Sequence, residues 1–220
     1  MPARNMAYPR LFRSYKVREN NAPNCHIWEA ARATTAAPTF FKSISISEPG
    51  LISEEFIDAG IKCNNPAEIL IREATHIFSN ERPVGCLVSI GTGQKGTIGL
   101  AKPDSFQKIL PLKLINVLID IATDCEATAD RLKDRFLNTP GIYFRFNVTH
   151  GVGSISLEEW ERMGEIQTHT IAYLSDPLVS ASIDAVVKIL VRTGKHCDAE
   201  KPSIGGEGSG GVTLGSICMF

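Results

Sequence analysis

The pattern of apolar and polar positions predicts a chain of mixed strands and helices. The run "VGCLVSI", residues 84–90, is almost entirely apolar and is followed by "GTG", as in a strand covered on both faces within a parallel sheet. "EEFIDA" (54–59) and "IYFRFNV" (142–148) predict two further strands, and residues 8–17 predict a strand and a loop. Strands that alternate with helices favour an open α/β sheet with helices on its faces.

Apolar residues at helical spacing, together with capping residues and helix breakers, predict the helical segments. These segments cover residues 26–36, 65–78, 106–137, 156–174 and 176–193. Asn65 can cap the second segment, because Pro66 suits the first position of a helix. Residues 106–137 are predicted to form one long amphipathic helix or two abutting ones.

Composition and charge argue against a disordered chain, a nucleic-acid-binding protein and a metal-binding protein. The 220 residues, 43% hydrophobic and 21% charged, suit a globular chain of one domain or at most two. A formal net charge of -1 gives no general attraction to nucleic acid or to an anionic membrane. The six cysteines form no CxxC pair and no zinc-like spacing with the five histidines, so we expect reduced thiols and no bound metal.

The chain has no leader-like apolar segment and no run of 18 apolar residues. We therefore expect a cytoplasmic location and no transmembrane segment, which still permits peripheral contact with a membrane. The domain organisation predicted is a domain over residues 1–195 and a flexible tail over residues 196–220, because the tail is rich in glycine and serine.

Two polar turns follow predicted strands. Asp58 ends the strand "EEFIDA", and Gly91 to Gly93 follow "VGCLVSI". If these strands are parallel, both turns lie at one rim of the sheet, where ligands collect in open α/β folds. A local explanation is also open, in which Asp58 bonds to nearby backbone, Gly60 supplies a positive φ and Asn65 only caps a helix.

A dinucleotide-binding loop is an alternative interpretation of the glycine-rich turn. Gly91, Gly93 and Gly96 form G-x-G-x-x-G directly after a predicted strand. The residues that follow include Gly99 and Pro103, so they do not open a helix at once, and no second strand ends in an acid about 20 residues on. A plain turn is therefore favoured.

Three segments, in this order, resemble the second half of the patatin-like phospholipase domain: "WEAARATTAAPTFF", "FIDAGIKCNNPAEILIREA" and "LVSIGTG". In that family an "ARATSAAPTYF"-like helix and loop precede a strand ending in Asp-Gly-Gly or Asp-Gly-Ala, then "NNP", then a strand ending in "SLGTG". The clear match covers about residues 25–93, and a looser one covers about residues 8–192. The acid motif here reads Asp58-Ala59-Gly60, so alanine replaces the middle glycine.

The resemblance implies a three-layer α/β/α fold, present in part, and hydrolysis of ester bonds in phospholipids or acylglycerols without a metal or cofactor. In the family, a serine within Gly-x-Ser-x-Gly attacks the ester, an aspartate accepts its proton, and a glycine-rich loop forms the oxyanion hole. Asp58 corresponds to that aspartate. The resemblance assigns supporting roles at the turn and rim to Gly60, Asn64, Asn65, Gly91 and Gly93.

The nucleophile motif of the family is missing from this sequence. Ser89 has Leu87 where the first glycine should stand, Ser154 has Val152 there, and the glycines at 205–211 favour a linker. Both missing motifs lie upstream in the family, so we expect a C-terminal half that needs its N-terminal half as a partner and is inactive alone. Such a half would expose apolar surface and strand edges, which favours association.

A catalytically silent module that binds lipid or protein is the alternative function. In this interpretation the amphipathic segment at 106–137 docks against lipid or another protein, although core packing explains that segment more simply.

Overall fold

The computed structural model describes residues 1–15, 23–48, 50–78, 83–94, 120, 122–156, 158–199 and 215–219. They form an α/β fold. In chain order the elements are α1 (Ile27–Thr34), β1 (Ile44–Ile46), β2 (Glu54–Phe56), α2 (Gly60–Cys63), α3 (Ala67–Phe78), β3 (Cys86–Ile90), α4 (Glu126–Arg135), β4 (Tyr143–Phe146), a 3₁₀ turn (Trp160–Arg162), α5 (Met163–Leu174), α6 (Pro177–Ala199) and β5 (Gly215–Met219).

The described residues divide into two compact units. The first contains Met1 to Asn64 together with Asp120, Ala122 and Thr123, and the second contains the remaining described residues.

An antiparallel pair of short strands, β1 and β2, forms the centre of the first unit. Ile44 and Ile46 are two residues apart on β1, and Ile44 lies opposite Phe56 on β2, so the three apolar side chains share one face. Ile46 and Phe56 form a buried cluster with Ala33 of α1. The ring of Phe12 packs on that of Phe56, with 5.3 Å between the centroids.

A parallel sheet with β3 in the middle forms the centre of the second unit, in the order β4-β3-β5. Leu87 of β3 packs against Ala67 of α3 and Leu132 of α4, while Val88 packs against Val186 of α6. Successive residues of a strand point to opposite faces, so helices cover both faces of β3. The apolar run at 84–90 therefore predicted this strand correctly.

Helices are present in each predicted segment where the structure describes it, with differences at their ends. Asn65 Oδ1 accepts the N–H of Ala67 at 3.3 Å and caps α3 as expected. Within the segment 106–137, the helix is interrupted at Thr123–Cys125 before α4 begins, and most of the first half of that segment lies outside the described residues.

The strand predicted over residues 8–17 is wrong for residues 8–15, which form no strand and contain only a bridge residue at Leu11. Phe12 of this segment packs against the core of the first unit. Pro2, not this segment, makes an antiparallel bridge with Phe56.

The two polar turns were predicted to follow parallel strands of one sheet. This prediction is also wrong for the described strands. β2 pairs with β1 and belongs to a different sheet from β3. The loop between β1 and β2 is short, and short loops join antiparallel strands.

Within the tail predicted over residues 196–220, the structure describes two elements. α6 continues to Ala199, and residues 215–219 form β5 along the edge of β3. An unpaired edge of a sheet readily accepts another strand. Residues 201–214 lie outside the described residues, and the domain boundary at 195 stays a prediction.

Candidate active site

Asp58 lies just after β2, half-buried, with its backbone held by the loop that follows α1. Its N–H donates to the carbonyl oxygen of Ala36 at 3.0 Å, and Ala36 is fully buried. The preceding residue, Ile57, donates its N–H to the carbonyl oxygen of Met1 at 2.9 Å. Two segments that carry the family resemblance, the "ATTAAPT" loop and the acid motif, thus meet at this point.

The carboxylate of Asp58 makes one local hydrogen bond. Oδ1 accepts the N–H of Gly60 at 2.7 Å, which is the backbone bond that turn chemistry predicts. In the part of the chain that the structure describes, Oδ2 has no hydrogen-bond partner, and no lysine or arginine forms an ion pair with this carboxylate. A carboxylate oxygen without a partner can accept a hydrogen bond from an incoming group.

Gly60 and Asn64 complete the cluster around Asp58. A Cβ placed on Gly60 would lie 3.4 Å from Asp58 Oδ1 and 3.7 Å from Asn64 Oδ1. Asn64 donates from Nδ2 to the carbonyl oxygen of Thr123 at 2.5 Å. The expectation of a positive φ at Gly60 is wrong, because this residue begins the helix α2.

The charge of Asp58 acts on the amino group of Met1. Burial lowers the pKa of the Met1 ammonium, and the negative charge of Asp58 is the largest of the effects that oppose this decrease. The ammonium itself donates to the carbonyl oxygen of Ile57 at 2.7 Å.

A buried polar network in the second unit surrounds the turn after β3. Arg145 donates from Nη2 to Glu126 Oε1 at 2.9 Å and from Nη1 to Ser89 Oγ at 3.0 Å. Asn147 donates from Nδ2 to the same Glu126 oxygen at 2.9 Å and accepts the N–H of Gly93 on Oδ1 at 2.7 Å. The side chains of Arg145 and Glu126 are 8% and 22% exposed, so their ion pair is largely buried.

Asn65 joins this network at its other end. Its Oδ1 lies 3.5 Å from Ser89 Oγ, a long hydrogen bond, and its Nδ2 donates to the carbonyl oxygen of Cys125 at 3.3 Å. Ser89 is 2% exposed and is engaged by both Arg145 and Asn65. Its hydroxyl is therefore not accessible as a nucleophile.

The two glycines of the turn are required by close packing. A Cβ on Gly91 would overlap Asn147 Oδ1, and a Cβ on Gly93 would overlap the side chain of Val152. Gly93 also has φ of 126°, a backbone conformation that other residues rarely adopt. Its N–H already donates to Asn147, so it does not offer the free donor that a dinucleotide phosphate would need.

The structure thus groups the sequence-predicted residues in two sets, Asp58, Gly60 and Asn64 in the first unit and Asn65, Gly91 and Gly93 in the second. Sequence reasoning missed the members of the network that surrounds the second set, which are Glu126, Arg145 and Asn147. One signal was available, since Arg145 interrupts an apolar strand between two phenylalanines. A charge in such a position requires a buried partner.

The described residues show no disulfide, no metal-ligand cluster and no membrane-spanning helix. Cys25, Cys63, Cys86 and Cys125 form no disulfide, and no group of three or more potential metal ligands is found in this part of the chain. None of its helices combines the length and apolarity needed to cross a membrane.

Several curated proteins are similar to the chain in sequence. It is 33% identical over 150 residues to calcium-independent phospholipase A2-gamma of Mus musculus, an alignment that covers 67% of this chain and 18% of the relative. It is 30% identical over 144 residues to patatin-like phospholipase 1 of Plasmodium falciparum, covering 60% of this chain and 21% of the relative. It is 34% identical over 100 residues to patatin-like protein 3 of Arabidopsis thaliana, covering 39% and 23%. The chain spans about a fifth of the length of these relatives.

No family model and no solved structure matches the chain. The relatives nevertheless define its class, because they are named as phospholipases or as patatin-like proteins. The chain belongs to the patatin-like phospholipase family.

Proposed function

We propose that the chain supplies the aspartate of a Ser-Asp dyad in a patatin-like lipid acyl hydrolase that acts on phospholipids or related acylglycerols. The placement of Asp58 carries the proposal. Its backbone is held by Ala36 and its Oδ1 by Gly60, which leaves Oδ2 without a partner among the described residues. The proposal includes the three-layer α/β/α domain of the family, of which this chain forms a part.

Asp58 would act as a proton carrier in the reaction. A serine hydroxyl donates its hydrogen to Oδ2, and the proton moves to Asp58 as the serine Oγ attacks the ester carbonyl carbon. The carbonyl oxygen becomes an oxyanion, which needs fixed N–H donors. When the intermediate collapses, the bond to the alcohol breaks and Asp58 returns the proton to the leaving oxygen. Water then attacks the acyl-serine in the same way and releases the fatty acid.

The serine of this mechanism is not among these residues. The 220 residues contain no Gly-x-Ser-x-Gly, and Ser89 is buried and hydrogen-bonded. The proposal therefore requires that another polypeptide segment supply the nucleophile and the oxyanion donors. We expect no ester hydrolysis by the chain alone.

Two substitutions at Asp58 separate its proposed role as a base from its role in the turn. Asp58→Asn keeps an oxygen that can accept the N–H of Gly60, whereas Asp58→Ala removes it. In the longest natural polypeptide that contains these residues, we expect both variants to lower kcat for a short-chain chromogenic ester by about 10²-fold or more. Only Asp58→Ala should also lower thermal stability.

The matched control is Asp176→Asn, because Asp176 Oδ1 likewise accepts the backbone N–H two residues on, that of Leu178, at 2.8 Å. This control should retain full activity. Wild-type activity in Asp58→Asn would reject Asp58 as the base.

A silent binding module is a second candidate function. The absence of the nucleophile motif from these residues and the exposure of Ile27 (90%) and Ile52 (95%) favour it. Such a module would bind phosphatidylcholine vesicles in a flotation assay and release no fatty acid, even in the longest natural polypeptide. Release of fatty acid that depends on Asp58 would reject it.

A further inference from the structure

The buried ion pair in the second unit connects two turns that sequence analysis selected separately. Hydrogen bonds run from the start of α3 to the turn after β3 through the side chains of Asn65, Ser89, Arg145, Glu126 and Asn147, ending at the N–H of Gly93. The ion pair lies in the middle of this series, so it can act on both ends.

The charges of the pair fix which atoms donate and which accept along both arms. An ionised glutamate only accepts, so Asn147 must turn its Nδ2 toward Glu126, and its Oδ1 then faces the N–H of Gly93. An arginine only donates, so Ser89 Oγ accepts from Arg145 and directs its own hydrogen to Asn65.

Backbone groups fix the orientation of Asn65. The N–H of Ala67 only donates and the carbonyl oxygen of Cys125 only accepts, so Oδ1 faces Ala67 and Nδ2 faces Cys125, and Oδ1 can also accept the hydrogen of Ser89. Both turns are therefore linked to one ion pair by side-chain hydrogen bonds.

Stability alone does not account for this pair. Replacing a buried ion pair by apolar residues of similar size is often neutral or stabilising. In addition, the buried Nε of Arg145 has no hydrogen-bond partner among the described residues, which costs free energy of folding. The contacts of the pair with both turns point to a role in holding them.

We propose that Glu126, Arg145 and Asn147 are positioning residues that hold the Gly91–Gly93 turn and the Asn65 turn in the orientation needed for ester hydrolysis. This inference rests on the proposed function. The ion pair contacts both arms: Glu126 holds Asn147, which bonds to Gly93, and Arg145 holds Ser89, which lies against Asn65.

The principal test replaces both charges in the 220-residue chain with apolar groups of similar length, as Glu126→Leu/Arg145→Met. We expect the amide hydrogens of Gly93 and Ala67 to exchange with deuterium roughly tenfold faster or more, while that of Val88 in the middle of β3 is unchanged. The matched control is Glu68→Leu/Arg131→Met, which removes an exposed ion pair of 2.8 Å between α3 and α4. Unchanged exchange at Gly93 and Ala67 in a folded double variant would overturn the proposal.

Two single substitutions test the arms separately and also serve if the double variant does not fold. Asn147→Leu should accelerate exchange at Gly93 and not at Ala67. Ser89→Ala should accelerate exchange at Ala67 and not at Gly93. The same acceleration at both amides in both variants would indicate general loosening and would reject the two-arm arrangement.

The link to catalysis is tested in the longest natural polypeptide. There the double variant should lower kcat about tenfold or more and leave KM within about a factor of two, because misplaced groups affect the transition state more than substrate binding. Faster exchange with unchanged kcat would overturn the positioning role. An inactive wild type would instead reject the proposed function, and the exchange measurements would still decide whether the pair orients the turns.

Discussion

The space beside Gly91 is occupied by polar side chains that cannot move without breaking hydrogen bonds. A methyl group there would overlap Asn147 Oδ1 and Arg145 Nη2, both of which are engaged with Glu126 or Gly93. We expect Gly91→Ala to lower the free energy of unfolding by about 1–3 kcal/mol, as other overpacked sites do. Urea unfolding followed by circular dichroism measures the change.

Gly164 provides the matched control for this prediction. It lies within α5, and a Cβ there would meet no atom within 4 Å. Gly164→Ala should therefore raise the free energy of unfolding by about 0.5–1 kcal/mol, since alanine restricts the unfolded chain and favours a helix. Equal effects of the two substitutions would contradict the packing explanation for Gly91.

Single residues differ in how far the sequence can predict their roles. Asp58 and Asn65 were predictable, because a turn acid and a helix cap act on backbone groups close to them in the chain. Glu126 and Arg145 were not, since they meet only through the packing of α4 beside β4. The catalytic role of Asp58 stays a prediction, because local bonds alone do not determine it.

At the scale of elements, an ion pair between α3 and α4 gives the stability a dependence on pH. The hydrogen bond from Arg131 lowers the pKa of Glu68 in the folded chain. The pair therefore stabilises the fold above the ordinary glutamate pKa of about 4.3, and this contribution is lost as the pH falls through the lowered folded value.

Glu68→Gln should slightly reduce the urea midpoint at pH 7 and have no effect at pH 3. The effect is small because both side chains are about half exposed and screened by solvent. The difference at pH 7 should also shrink in 1 M salt. A difference that persists at pH 3 would show that the pair does not act through the charge of Glu68.

The start of α6 depends on one aspartate. Asp176 Oδ1 accepts the N–H of Leu178 at 2.8 Å and that of Val179 at 3.2 Å, two donors that have no partner within the helix. Asp176→Ala should lower the free energy of unfolding by about 1 kcal/mol, whereas Asp176→Ser retains a capping oxygen and should cost much less. Thermal unfolding of the two variants compares them, and equal losses would contradict capping.

The helices and strands that the sequence predicted correctly are those with long apolar or capped patterns. β3 and α3 carry long apolar or capped patterns and were found as expected. β1 has only three residues and was missed, so its antiparallel pairing with β2 was missed too. β5 follows a glycine-rich segment whose composition favours a tail, and its strand conformation depends on pairing with β3.

At the scale of the whole molecule, exposed apolar side chains should govern how the chain behaves in solution. Leu51 and Ile52, in the turn between β1 and β2, are 66% and 95% exposed. A hydrogen bond from the N–H of Asn24 to Glu48 holds the segment before α1 next to this turn, and Trp28 at the start of α1 is exposed as well. Adjacent exposed apolar side chains such as Leu51 and Ile52 favour association with other molecules.

We therefore expect the 220-residue chain to self-associate increasingly with concentration in sedimentation velocity experiments. Leu51→Ser/Ile52→Ser should shift the distribution toward monomer without lowering thermal stability, because neither side chain is part of the core. The matched control is Leu137→Ser, since Leu137 is similarly exposed, at 74%, in the other unit. A wild type that stays monomeric over the whole concentration series, or a double variant that associates as strongly as the wild type, would show that this surface does not drive association.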